Sequence, residues 1–128
     1  MKTILLIEPN TILAQTYTRA LQHDGYQVTP VVSAQAAIHA ADERTPDMVV
    51  VDLQLAGHNG IEFLHEFRSY AEWRDVPVII NTVIDPARMA AVAPALRTDL
   101  GVRTILYKPR TSLQQLLRHV REQLALPA

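Results

Sequence analysis

Four residues of this 128-residue chain have types and positions that could do chemistry together: Glu8, Asp52, Thr82 and Lys108. Each stands at or just after the end of a short apolar run. Ile4-Leu5-Leu6-Ile7 leads to Glu8, Met48-Val49-Val50-Val51 to Asp52, Val78-Ile79-Ile80 to Asn81 and Thr82, and Ile105-Leu106-Tyr107 to Lys108. A carboxylate facing a lysine and a divalent cation can attack phosphorus as a nucleophile and form an acyl phosphate. The ammonium and the cation neutralise charge on the incoming phosphoryl group, and a hydroxyl hydrogen-bonds one of its oxygens. Taken alone, Asp52 reads equally well as a cap or turn residue. Its coincidence with three other polar strand ends favours chemistry.

Bringing these residues together needs parallel strands whose carboxyl ends share one edge. The apolar runs predict strands over Thr3–Ile7, Gln27–Val32, Met48–Val51, Val76–Ile80 and Val102–Tyr107. Four of them are nearly continuous Ile, Leu and Val, as in strands buried on both faces. Helix signals alternate with them. Asn10 or Thr11 opens a helix to about Asp24, with Leu13, Tyr17, Ala20 and Leu21 on one face and Gly25 as its stop. Ser33 caps Ala34–Arg44, and Asn59-Gly60 precedes Ile61–Ala71, with Ile61, Leu64, Phe67 and Tyr70 toward the core. Asp85-Pro86 starts a helix that Pro94 should break, leaving an irregular stretch to Gly101. Thr111 or Ser112 caps a last helix with an apolar stripe of Leu113, Leu116, Leu117, Val120 and Leu124. Five such units imply an α/β fold, a doubly wound parallel sheet with right-handed crossovers and helices on both faces. Sites in such sheets lie beyond the carboxyl ends of the strands, where strand order reverses. Glu8, Asp52, Asn81 with Thr82, and Lys108 fall on that edge.

The length suits one domain, expected over residues 1–125 with a short tail, 126–128. With 48% hydrophobic residues there is enough apolar material for a core on both faces of the sheet. A net charge of −1, with charges interspersed, argues against nucleic-acid binding. Cysteine is absent, so disulfide and thiolate chemistry are excluded. The opening MKTILLIEPN is too short in apolar residues for a signal peptide or a membrane span. The expectation is a cytoplasmic domain with no membrane contact. Only Lys2 and Lys108 are lysines, against ten arginines, which suggests that Lys108 answers a need for a compact ammonium.

Asp52-Leu53-Gln54-Leu55 followed by Gly60 resembles the phosphoacceptor segment of bacterial response-regulator receiver domains, the CheY-like family. Pro77-Val78-Ile79-Ile80-Asn81-Thr82 is similar to their fourth-strand segment with its switch threonine. Leu106-Tyr107-Lys108-Pro109 resembles their Lys-Pro turn, and Ile4-Leu5-Leu6-Ile7-Glu8 their first strand. The likeness runs through nearly the whole chain in the right order. It implies a flavodoxin-like five-stranded sheet of order 2-1-3-4-5 and two-component signal transduction. Asp52 would be the phosphoacceptor, loaded by a sensor histidine kinase or phosphotransfer protein, and Thr82 and Lys108 would contact the phosphoryl group. Glu8, Asp52 and the Gln54 backbone carbonyl would hold Mg²⁺, and the Lys108–Pro109 bond would be cis. A downstream protein effector is implied, a homodimer stays open, and no enzyme activity beyond self-phosphorylation and dephosphorylation at Asp52 is expected.

Several positions depart from the family pattern. Glu8-Pro9 stands where two acids are usual, so Pro9 removes a metal ligand and a weakened Mg²⁺ site is expected. Val83 replaces a small residue and narrows phosphoryl entry. Ile105 replaces an aromatic that couples to the threonine, leaving Tyr107, of the same strand parity, as the nearby ring. Ala56 replaces a proline. These changes support an alternative, a phosphorylation-independent pseudo-receiver acting as a protein-protein interaction module. An aspartyl phosphatase would want a general acid two residues after Asp52, where Gln54 stands, and a flavodoxin would want a phosphate loop after the first strand. His58 reads as a solvated loop residue, and His23, His39, His65 and His119 lack metal-ligand spacing. Trp73 and Tyr17 read as packing residues, and Glu62 with Glu66 as a solvated face.

Overall fold

The computed structural model describes residues 1–55 and 59–125, so Ala56, His58 and the 126–128 tail lie outside the described residues. Five strands, β1 (Thr3–Ile7), β2 (Gln27–Val31), β3 (Met48–Val51), β4 (Val78–Thr82) and β5 (Val102–Tyr107), form one parallel sheet in the order β2-β1-β3-β4-β5. The order reverses between β1 and β3, so the crevice of a doubly wound sheet opens beyond the ends of these two central strands. Every residue of β1, β3 and β4 is buried.

Alternation along the strands sends their side chains into two cores. Leu5, Ile7, Val49, Val51, Val78 and Ile80 pack with helices α2 (Ala34–Glu43), α3 (Gly60–Ser69) and α5 (Ala93–Leu100). Ile4, Leu6, Met48, Val50, Ile79 and Leu106 pack with α1 (Thr11–His23) and α6 (Leu113–Ala125) on the other face. Each fully buried aliphatic side chain contributes about 1.5–3 kcal/mol. The six residues of the second core therefore set the direction in which the next even step of each strand points.

The helices start on caps. Asn10 Oδ1 accepts from the N–H groups of Ile12 and Leu13, Ser33 Oγ from Ala36, and Asn59 Oδ1 from Glu62. Ser112, not Thr111, caps α6. Its hydroxyl accepts from Gln115 N–H while Gln115 Oε1 accepts from Ser112 N–H, a reciprocal capping box.

Three elements differ from the expected bounds by more than one residue. β4 runs Val78–Thr82 rather than Val76–Ile80, because Val76 N–H is spent on Trp73 O and Pro77 has no N–H for the ladder. Its far end holds Asn81 and Thr82, which pair with Leu106 and Tyr107. The stretch from Pro94 to Gly101 is helical, not irregular. After a short helix α4 (Pro86–Met89), Pro94 sits in the first turn of α5, where its missing N–H costs nothing, and Gly101 at φ 63° ends that helix. Helix α3 stops at Ser69, and a 3₁₀ turn over Ala71–Trp73 follows. Phe63 is buried on α3 beside Leu64 and Phe67, whereas Tyr70 is exposed. Trp73 is buried and stacks on Phe67, with ring centroids 5.0 Å apart, while Tyr17 packs against the second core.

Gly60 ties α3 to the end of β3. Its N–H donates to Leu53 O at 2.8 Å, and a Cβ there would lie 2.7 Å from Asp52 O and 2.8 Å from Leu53 Cα. Both atoms are backbone, so the main chain under Asp52 would have to move. Gly60→Ala is expected to cost about 1–3 kcal/mol of unfolding free energy, read by urea denaturation.

Candidate functional site

The end of each central strand is anchored by its neighbour. Asp52 N–H donates to Ile7 O, and Glu8 N–H donates to Val31 O, both at 3.0 Å. Glu8 and Asp52 thus continue the alternation of Leu6 and Val50 and turn toward the face covered by α1 and α6. Lys108 arrives from the end of β5. Its ammonium lies 2.5 Å from Asp52 Oδ2 and 2.6 Å from Glu8 Oε1. The remaining oxygens are also engaged, Asp52 Oδ1 by Gln54 N–H and Glu8 Oε2 by Asn10 N–H, each at 3.0 Å. The second bond exists because Pro9 turns the chain and the helix cap follows at once.

All three charged side chains are withdrawn from water, with exposures of 3% for Glu8, 4% for Asp52 and 8% for Lys108. Burial by itself would lower the pKa of the Lys108 ammonium. Hydrogen bonds and charge from Asp52 and Glu8 outweigh it and hold that pKa above its ordinary value. With both carboxylates ionised, one negative charge remains in excess, in a site made of hard oxygen donors. That charge and those donors fit Mg²⁺, which commonly takes one or two carboxylates and keeps several waters. Glu8, Asp52 and the Gln54 carbonyl are the groups available to hold it, and Pro9 adds no side-chain donor. Among the described residues no group of three or more His, Cys, Asp or Glu side chains gathers that could hold a metal ion, and this site brings two acids.

The structure joins Glu8, Asp52 and Lys108 and leaves Thr82 out of that contact. Thr82 is fully buried, and its Oγ1 accepts from Ile84 N–H at 3.1 Å. By strand parity it faces the side opposite Asn81. It borders a cavity that Ile105 and Tyr107 also line. Ile105 is partly buried there, and the Arg110 guanidinium lies 5.6 Å from the centre of the Tyr107 ring. Val83 sits past the strand end, 46% exposed. The Lys108–Pro109 bond is trans, not cis as the family resemblance implies. Lys108–Arg110 form a 3₁₀ turn closed by Thr111 N–H on Lys108 O, and proline's fixed φ suits its first positions. Two contributions escaped the sequence: the Asn10 bond to Glu8, and the close approach of Gly60 to Asp52. The Gly60 spacing was a usable signal for the second.

Lys108 is the link whose loss leaves two buried acids unpaired. Lys108→Met is expected to lower unfolding free energy at neutral pH by about 3–5 kcal/mol. The raised Lys108 pKa means that the folded chain holds this proton more tightly than the unfolded one. Its stabilisation is therefore complete below the ordinary lysine value of about 10.4 and is lost as pH rises through the higher folded value. Urea denaturation from neutral to strongly alkaline pH should show this decline in the native protein, and a smaller one in Lys108→Met.

A family model described as the response regulator receiver domain matches residues 4–121. The probable transcriptional regulatory protein TcrX of Mycobacterium tuberculosis is 34% identical over 83 residues, covering 65% of this chain and 35% of that protein. The KDP operon transcriptional regulatory protein KdpE of Escherichia coli is 30% identical over 109 residues, covering 85% of this chain and 45% of its own length. The chain thus spans less than half the length of these curated relatives. Among solved structures, the HemR receiver domain from Leptospira biflexa superposes with a TM-score of 0.86 at 23% identity, covering 100% of this chain and 98% of that one. The receiver domain of sensor histidine kinase PA1611 from Pseudomonas aeruginosa, solved with a magnesium ion in its active-site cleft, gives 0.81 at 24% identity, with 98% of each chain covered. The structural likenesses establish the fold, the five-stranded receiver sheet, and with the family model matching 118 of 128 residues this chain belongs to the response regulator receiver domain family.

Proposed function

We propose that Asp52 accepts a phosphoryl group from a phosphohistidine of a sensor histidine kinase or phosphotransfer protein. The observation that carries this reading is the buried carboxylate at the switch point of the sheet, held by a lysine ammonium at 2.5 Å. A carboxylate oxygen of Asp52 would attack phosphorus, the P–N bond to the donor imidazole would break, and an acyl phosphate would form on Asp52. Lys108 would move from the carboxylate to the phosphoryl oxygens, where its charge offsets theirs. Bound Mg²⁺ would add the second positive charge that the transferring group needs. Glu8 would supply the one acidic side chain beside Asp52 for that ion. Thr82 would exchange its bond to Ile84 N–H for a phosphoryl oxygen, which alters the β4–α4 connection and the wall it shares with Ile105 and Tyr107. A protein effector reading that surface is the implied output.

The departures at Pro9, Val83 and Ile105 bear on a second reading, a pseudo-receiver that binds partners without phosphorylation. One observation favours it: Lys108 already satisfies both carboxylates. A cation must compete with an ion pair that the protein carries itself.

One titration separates the two. If Asp52 is an acceptor, a small phosphodonor with Mg²⁺ adds one phosphoryl group by mass, and Asp52→Asn abolishes the adduct. Mg²⁺ and beryllofluoride should shift amide NMR signals around Asp52, Thr82 and Lys108 together. No adduct and no shift at saturating donor and metal would sink the acceptor reading and leave the pseudo-receiver.

A further inference from the structure

The carboxyl edge of the sheet holds one polar side chain that the acceptor reading does not use. Ile7 pairs with Val51 and Val51 with Ile80, so the residues one step on, Glu8, Asp52 and Asn81, line up across β1, β3 and β4. Alternation points all three to the face of Leu6, Val50 and Ile79. Asn81 is 3% exposed, and its Oδ1 has no hydrogen-bond partner among the described residues. The residues before it, Val78, Ile79 and Ile80, are wholly buried and apolar. An amide oxygen left unpaired in such a strand is a cost that packing does not explain.

Lys108 carries the matching half. An ammonium has three N–H donors, and two of them are taken by Asp52 Oδ2 and Glu8 Oε1. β4 lies between β5 and β3, so the lysine side chain must cross the end of β4 to reach those oxygens. Asn81 occupies that end, on the same face. A spare donor and a spare acceptor therefore lie at the same edge of the sheet, on one face.

We propose that Asn81 is a positioning residue, whose Oδ1 takes the Lys108 ammonium when Asp52 gives up that contact. Its purpose rests on the acceptor reading above, while its geometry does not. When a cation occupies the Asp52 oxygens, before a phosphoryl group arrives to take the ammonium, Lys108 loses an acceptor and needs another close by. A neutral amide keeps the ammonium at the end of β4 without setting a third negative charge against the incoming phosphoryl group.

The chain has two lysines, Lys2 and Lys108, so ¹⁵N-lysine ammonium NMR reads Lys108 against an internal reference and needs no phosphodonor. Asp52→Ala removes the carboxylate contact. The Lys108 ammonium should stay protected from solvent exchange in Asp52→Ala, and exchange about tenfold faster in Asp52→Ala with Asn81→Leu, as for one lost hydrogen bond. Equal exchange in the two, or protection already gone in Asp52→Ala alone, overturns the proposal. Asn81→Leu by itself should raise the Tm, since leucine fills the space without an unpaired carbonyl. A lower Tm with unchanged Lys108 exchange would mark Asn81 as a packing residue and equally overturn it. In a second arm, Asn81→Leu should weaken beryllofluoride binding in Mg²⁺ by a similar factor, and equal affinity contradicts the proposal. If the native protein fails to bind beryllofluoride, the acceptor reading falls, and the lysine comparison still decides the role of Asn81.

Discussion

The Lys108 ammonium is the contact on which the carboxyl edge of this sheet depends. It follows β5 and meets acids that follow β3 and β1, so one ammonium ties together the ends of three strands. Without it, two carboxylates at 3% and 4% exposure would stand side by side with no counter-ion. The order of the strands makes the contact feasible, because β1 and β3 are adjacent and their ends are in register. The contact in turn holds the chemistry in a fixed geometry, since each carboxylate oxygen has a single assigned partner.

The apolar strands do the aiming. Leu6 and Val50 are locked in the core under α1 and α6, and Glu8 and Asp52 lie two residues further along the same strands. A slip of one residue in either strand would turn its acid to the opposite face and break the ion pairs. Two backbone features then prevent adjustment. Gly60 packs against the Asp52 carbonyl with no room for a side chain, and the Asn10 cap fixes the turn that orients Glu8. The site is rigid on the β1 and β3 side. It is less tightly tied on the β4 side, where Thr82 and Asn81 have not engaged the triad.

Much of this was legible in the residues themselves. Continuous Ile, Leu and Val marked the central strands, and the polar residues ending them were Glu8, Asp52 and Lys108, which the fold does bring together. The errors have local physical causes. Val76-Pro77 looked like the start of a strand because both are apolar, but proline offers no ladder donor. Asn81 and Thr82, being polar, read as the residues just past the end of the strand, although they pair with β5 to its end. Pro94 was taken as a helix breaker, whereas in a first turn it opens a helix. Tertiary facts had no local signal: nothing in the sequence says that Phe63 rather than Tyr70 turns inward, or that Asn10 N–H would reach Glu8.

Pro9 and Asn81 both bear on the balance of charge around Lys108. Pro9 adds no carboxylate next to Asp52, so Lys108 faces two carboxylates and satisfies both. The resting ion pair is complete, and an incoming cation must displace the lysine from at least one oxygen before any phosphoryl oxygen is there to receive it. Displacement is affordable only if the ammonium has somewhere to go within the buried site, because an unpaired buried charge costs several kcal/mol. The one uncommitted buried acceptor on the strand it crosses is Asn81 Oδ1. The single acid at the end of β1 and the amide at the end of β4 are therefore two sides of one arrangement. The first tightens the resting state, and the second gives it a way to open.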